Sequence, residues 1–322
     1  MKALVCRVLS ADLDSLRFEE VTLPAPAPNE VRVAVRAAAV GFPDLLMVQG
    51  KYQHKPEMPF VVGGEFAGEA VAVGQAVTRF KTGDRVMGGG FGGAFAEEIQ
   101  VNEDRLRSIP GDADCATAAA LTSAYLTAYV SLVRRGGLQP GEHLLVHGAA
   151  GGVGLAAVDL GLVLGAAVIA TASTEDKRVF LTSYGAHHVL PPSGFREAVK
   201  ALTGGGADVI YDPVGGDVFD ESVRCIGFGG RLLVVGFASG RIPSVAANMP
   251  LIKGFSVVGV RAGEYGRRNP EHGRENIAAI DTLLAQGKLR PHIGARFPLA
   301  RAIDAMRTLK ERKIVGRAVI EP

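Results

Sequence analysis

The sequence has almost no excess of charge of either sign: 35 Lys and Arg stand against 33 Asp and Glu, a formal net charge of +2. No global field favours nucleic acid or an anionic membrane, so small or locally recognised partners are expected. Cysteine is scarce. Cys6, Cys115 and Cys225 lie far apart, match no metal or redox spacing and are odd in number, so a disulfide framework is excluded and a reducing compartment, the cytoplasm, is expected. The N-terminus shows no long apolar core and no small-residue cleavage site, and no export signal is read there. Residues 160–174 are uncharged and mostly apolar, but Asp159 precedes them and Gly161 and Gly165 punctuate them. They predict a buried helix passing into a strand rather than a membrane span. Internal repeats and low-complexity tracts are absent.

What is present divides the chain in two. A length of 322 residues suggests about two domains. Up to about residue 110, short β-like runs such as 31–35 and 70–73 alternate with Pro and Gly turns. From about Ala116 the texture becomes helix and strand in alternation, with strands expected at 144–147, 167–171, 209–211 and 231–235. That pattern predicts an α/β fold with a doubly wound parallel sheet. After Arg261 an irregular charged stretch is expected, then helices near 276–286 and 299–310 and a last strand at 316–320.

The strongest motif is His147-Gly148-Ala149-Ala150-Gly151-Gly152-Val153-Gly154, between the apolar run 144–146 and a helix-like segment from Leu155. A buried strand, a glycine turn and a helix start place bare backbone amides where a dinucleotide pyrophosphate binds. Ala149 occupies the first glycine position of the usual G-x-G-x-x-G pattern. An NAD site generally has Asp or Glu about 20 residues on, at the end of the second strand. Here the segment reads Ala170-Thr171-Ala172-Ser173-Thr174, with no carboxylate, while Ser173, Lys177 and Arg178 could face a 2′-phosphate. NADP(H) is the expected cofactor. A solvated helix start with Glu175 and Asp176 at its positive end would read the same way.

Gly83-Asp84-Arg85-Val86, Leu126-Thr127-Ala128-Tyr129, the 147–154 turn, Tyr211-Asp212-Pro213-Val214-Gly215-Gly216 and Gly236-Phe237 are ordered segments that together resemble the medium-chain dehydrogenase/reductase superfamily. Within it, they resemble the zinc-free quinone oxidoreductase, or zeta-crystallin-like, branch. The resemblance runs nearly end to end. It implies a GroES-like β domain from residues 1–124 and 263–322, a Rossmann domain from 125–262, an active site in the cleft between them, and a homodimer. The superfamily's zinc ligands correspond to Gly41, Gly64 and Ser123, and glycine has no side chain with which to ligate. No catalytic zinc is expected, and no cysteine cluster for a structural zinc is present between residues 84 and 97. Without a Lewis acid to stabilise an alkoxide, reduction of quinones or enones by NADPH is favoured over alcohol oxidation.

The resemblance also assigns positions. Tyr52, after Gly50 and Lys51, matches the proton-donor tyrosine of enoyl-thioester reductases, although Gly41 replaces the common Asn of that segment. Ala150, Gly151, Gly152, Val153 and Gly154 would hold the pyrophosphate, with Ser173 and Lys177 at the 2′-phosphate. Thr127 would sit by the nicotinamide amide, Gly236 and Phe237 by its ring, Arg261 at the cleft and Arg317 near the phosphates. An aromatic after glycine is often only a loop anchor, and the two arginines could equally be solvated. Two alternatives stay open. One is an enoyl-thioester reductase using the basic stretch 261–268 with His272 and Arg274; the other is a non-catalytic NADPH-binding or RNA-associated protein, disfavoured by the near-neutral charge.

Overall fold

The structure is a computed structural model and describes residues 1–322. It forms two compact units, Met1–Ser123 with Pro291–Pro322, and Ala124–Arg290.

In the first unit the strands β1 (Lys2–Cys6), β2 (Arg17–Glu20) and β4 (Phe60–Val61) make a small antiparallel sheet in the order β2-β1-β4. The main sheet uses β3 (Glu30–Val40), β5 (Glu65–Val73), β6 (Arg85–Gly89), β7 (Glu98–Asn102) and β8 (Leu106–Ser108). Its inward residues include Val31 and Val33 of β3 and Ile99 and Val101 of β7, which alternate with Arg32, Glu98, Gln100 and Asn102 as a half-buried antiparallel sheet requires, while Phe66 and Val86 lie in stretches of β5 and β6 buried on both sides.

The second unit carries six parallel strands: β9 (His143–Val146), β10 (Ala167–Thr171), β11 (His188–Leu190), β12 (Ala207–Asp212), β13 (Ile226–Val234) and β14 (Ser256–Gly259). Their order is β11-β10-β9-β12-β13-β14, the doubly wound Rossmann arrangement with its reversal between β9 and β12. Both sheet faces are covered, so strands such as Leu144-Leu145-Val146 are apolar throughout. The apolar 160–174 stretch is the end of the Gly152–Val163 helix followed by β10.

The chain then returns to the first unit, where β15 (Ile293–Pro298) pairs with β16 (Arg317–Glu321), and β16 lies antiparallel to β3 with Ala318 opposite Val40. This return begins later than residue 263. Residues 263–290 belong to the second unit, because Arg134 donates to Glu275 and to the buried Asn276 at 2.6 and 2.7 Å. The Arg290 amide likewise donates to the buried Asp159 carboxylate at 2.7 Å. The stretch after Arg261 is helical rather than irregular, over Ala262–Arg268 and Pro270–Ala285. Glu264 pairs with Arg267 and Arg268 one turn on, and Pro270 starts the next helix.

Candidate active site: a glycine cradle and a buried charge cluster

At the carboxyl edge of the parallel sheet, three turns lie side by side. The turn after β9 reverses at Gly148, which has φ +56, a left-handed value that favours glycine. A Cβ on Gly154 would stand 2.3 Å from the Gly148 carbonyl oxygen, so only glycine lets the helix start so close to the turn. Gly151 is the N-cap of that helix and offers no capping side chain. The amides of Gly152, Val153 and Gly154 are therefore left as donors at the positive end of a helix whose first turn carries no acid. Ala150 is buried beneath them while Gly151 is exposed.

The second turn follows β12. The buried Asp212 carboxylate accepts the Val214 and Gly215 amides at 2.8 and 2.9 Å, folding the 213–216 loop back on itself. Burial raises its pKa, and the two amides oppose the rise. The third turn follows β13. Ala238 and Ser239 donate to the Pro213 and Val214 carbonyls at 3.0 and 2.9 Å. A Cβ on Gly148 would meet Val214 at 3.3 Å, and one on Gly215 would meet Phe237 at 3.0 Å, so the three turns form one continuous surface at the strand reversal. This is where ligands bind in open α/β sheets. Gly236 and the 41 % exposed Phe237 are part of it.

Ser173 is exposed two residues beyond β10. Thr174 caps the following helix, its hydroxyl accepting the Lys177 amide at 3.4 Å. Arg178, on the same helix, reaches back to the strand end. Its Nη1 donates to the Ala172 and Ser173 carbonyls at 3.1 and 3.3 Å, while its Nε and Nη2 pair with the Glu175 carboxylate at 3.1 and 2.6 Å, so the guanidinium at the strand end carries an acid of its own helix. Thr127 is half-buried in the Cys115–Tyr129 helix, and its carbonyl accepts the Ser131 hydroxyl at 2.6 Å where that helix passes into a π-helical turn. Arg261 precedes the Ala262–Arg268 helix and is exposed, 3.8 Å from Glu264.

In the first unit a different assembly forms. Adjacent strands β16, β3, β5 and β6 bring Arg317, Gly41, Gly64 and Gly90 to one end of the sheet. Asp44 accepts the Gly41 amide at 2.8 Å, and Arg317 is ion-paired with Glu65. Asp44, Glu65 and Arg317 are only 3, 9 and 7 % exposed. Burial pushes the Asp44 carboxyl up to about 7, opposed by the Gly41 amide, with the neighbouring Glu65 adding to the rise. Arg317, expected by the phosphates, is buried and pairs with Glu65 through Nη2. Sequence inspection missed Asp44 and Glu65, though each sits near an absent zinc ligand, Asp44 after Gly41 and Glu65 after Gly64.

Tyr52 is half-buried on the loop after the Phe42–Val48 helix, where its amide donates to the Leu46 carbonyl at 3.2 Å. At two of the three positions that correspond to zinc ligands, Gly41 and Gly64, no side chain is present to ligate a metal. No cluster of three His, Cys, Asp or Glu side chains suited to a metal exists in the chain.

Residues 27–111 match the alcohol dehydrogenase GroES-like domain, and residues 152–280 the zinc-binding dehydrogenase domain. A quinone oxidoreductase-like protein 2 homolog of Nematostella vectensis is 43 % identical over 298 residues, 91 % of this chain and 81 % of that protein. The chain belongs to the medium-chain dehydrogenase/reductase superfamily, in its quinone oxidoreductase branch. Among solved structures, a probable oxidoreductase from Mycobacterium abscessus is 38 % identical with a TM-score of 0.91, covering 100 % of this chain and 99 % of that one. The Escherichia coli quinone oxidoreductase in complex with NADPH is 29 % identical with a TM-score of 0.91 and full coverage of both chains. The chain is an oxidoreductase with the two domains of this superfamily, GroES-like and Rossmann.

Proposed function

We propose that this oxidoreductase uses NADPH, works without zinc, and reduces quinones or α,β-unsaturated carbonyl compounds. One observation carries the reading: a glycine cradle at the sheet reversal beside a strand end whose own residues, 170–174, include no carboxylate. The amides of residues 152–154 suit a pyrophosphate, while Ser173, Lys177 and Arg178 suit a 2′-phosphate that an acidic residue would repel. Thr127, Gly236 and Phe237 are the candidates to orient the nicotinamide. When bound, NADPH supplies a hydride. A quinone or enone that accepts it becomes an oxyanion or enolate and takes up a proton, for which the Tyr52 phenol is the candidate donor.

Zinc independence rests on the ligand positions themselves. Two are glycine, and the space beside Gly41 is faced by the Arg317 guanidinium, 3.8 Å from where a Cβ would stand. A cation there disfavours a dication. In the basic stretch from Arg261, Arg268, Arg267 and Arg261 converge on Glu264 and hold its carboxyl down at about 2, and three guanidiniums on one carboxylate leave the stretch net positive. The enoyl-thioester reading stays as the alternative.

A second copy of the chain is the expected partner. β14 is an unpaired sheet edge, and Phe228, Leu251 and Ile252 around it are 91, 82 and 73 % exposed. Such an edge is shielded if two copies pair there. The three free thiols suit a reducing compartment such as the cytoplasm.

The test follows NADPH absorbance with quinones, simple enones and enoyl-CoA esters, repeated with NADH and after chelation. Turnover of quinones or enones with NADPH, unchanged by chelator, is expected. Stronger use of NADH, or activity confined to CoA esters, overturns the cofactor or the substrate assignment respectively.

A further inference from the structure

A buried imidazole stands directly before the glycine turn and has no part in the reading above. His147 is fully buried, its Nδ1 3.0 Å from the Thr171 hydroxyl and its Nε2 2.8 Å from the Ser222 hydroxyl. Ser222 has a single hydroxyl proton and donates it to the Val218 carbonyl at 2.7 Å. Toward His147 it can only accept, so Nε2 carries the ring proton. Burial keeps the ring neutral, with its pKa pressed down to about 3. Nδ1 is therefore bare and accepts the Thr171 proton.

Thr171 is the last residue of β10, and its carbonyl also accepts the Ala149 amide at 3.1 Å. The end of β10 is thus tied to the glycine turn twice, through the Ala149 backbone and through the His147 side chain. Two residues farther on lies Ser173, whose carbonyl, like that of Ala172, is held by Arg178. Ser222 ends the Gly216–Ser222 helix, so the same ring also fixes the element that follows the turn after β12.

We propose that His147 is a positioning residue for cofactor choice: through Thr171 it holds the β10 end in register with the glycine turn, so that one ligand can engage both by its pyrophosphate and its 2′-phosphate. The proposal rests on the NADPH reading. NADH lacks the 2′-phosphate, so it depends on the turn and much less on the strand end.

The test is direct binding of reduced cofactor, followed by nicotinamide fluorescence with no acceptor present. Thr171→Val keeps the side-chain shape and removes the hydroxyl. It is expected to raise the Kd for NADPH about tenfold and that for NADH less than about threefold, the scale of one buried hydrogen bond. Thr171→Ser keeps the hydroxyl and is expected to retain the wild-type preference. In 15N spectra of histidine-labelled protein, His147 is expected to show a protonated Nε2 and a bare Nδ1. An equal loss for both cofactors, no loss for either, or the opposite tautomer overturns the proposal. A wild type that binds NADH as tightly as NADPH overturns the cofactor reading, and the proposal with it.

Discussion

The two units build their polar centres from opposite materials. In the second unit the cradle is backbone: amides of residues 152–154, loop carbonyls, and glycines whose value is the absence of a Cβ. In the first unit the corresponding feature is a knot of charged side chains, Asp44, Glu65 and Arg317, buried at one end of an antiparallel sheet. A backbone cradle has donors fixed by the fold and needs no counter-charge. A charge cluster must satisfy itself internally, so its members hold one another and its loss is felt first as stability.

The sharpest way to break this contrast is Gly154→Val. The added side chain would enter the space of the Gly148 carbonyl, and NADPH affinity in a fluorescence titration is expected to fall about 1000-fold, about 4 kcal/mol. Retained affinity would mean that the turn does not hold the cofactor. Arg317→Met tests the other side. Leaving Glu65 buried without its partner should cost about 3 kcal/mol in denaturant unfolding of the first unit. A loss of NADPH binding with stability unchanged would return Arg317 to the phosphates.

The units should also answer pH in opposite directions. The Asp44 carboxyl is raised from 3.8 to about 7 in the folded protein, so its contribution is full below pH 3.8 and is lost as pH rises through 7. His147 is lowered from 6.5 to about 3, so its contribution is present above pH 6.5 and is lost as pH falls toward 3. Each slope approaches at most about 1.4 kcal/mol per pH unit. Unit-resolved hydrogen exchange is expected to show the first unit loosening upward from pH 4 to 7 and the second loosening downward from pH 6.5, with Asp44→Asn flattening only the former. Parallel responses in both units would contradict these assignments. The smallest effect is expected from Tyr52→Phe, about a tenfold fall in enone turnover with NADPH affinity unchanged. Full turnover in that variant removes Tyr52 from proton transfer.

The cradle was legible in the sequence because its members are neighbours along the chain: a strand, a turn and a helix start occupy residues 144–155, and the missing carboxylate lies within the next element. The four central Rossmann strands were legible as well, although β13 begins at Ile226, ahead of the expected residue 231, while the edge strands β11 and β14 were not. The helix near 276–286 was legible, though it starts at Pro270, but the Ala262–Arg268 helix was not, because its charged residues read as a solvated loop until Glu264 meets Arg267 and Arg268 across one helical turn. The contact of Arg178 with the Ala172 carbonyl was not legible either, since it depends on how the capped helix leaves the strand.

Local order alone determined the alternation of strand and helix, the glycine turn, the absence of zinc-ligating side chains at Gly41 and Gly64, and the family these segments resemble. Each is a property of a few consecutive residues, where spacing and side-chain chemistry act directly on the backbone. Tertiary structure alone decided that Arg317 pairs with Glu65, that residues 263–290 stay with the second unit, and that His147 bridges Thr171 and Ser222. Those partners are between 24 and 252 positions apart, and strand register and burial, which no local pattern encodes, bring them within hydrogen-bonding distance.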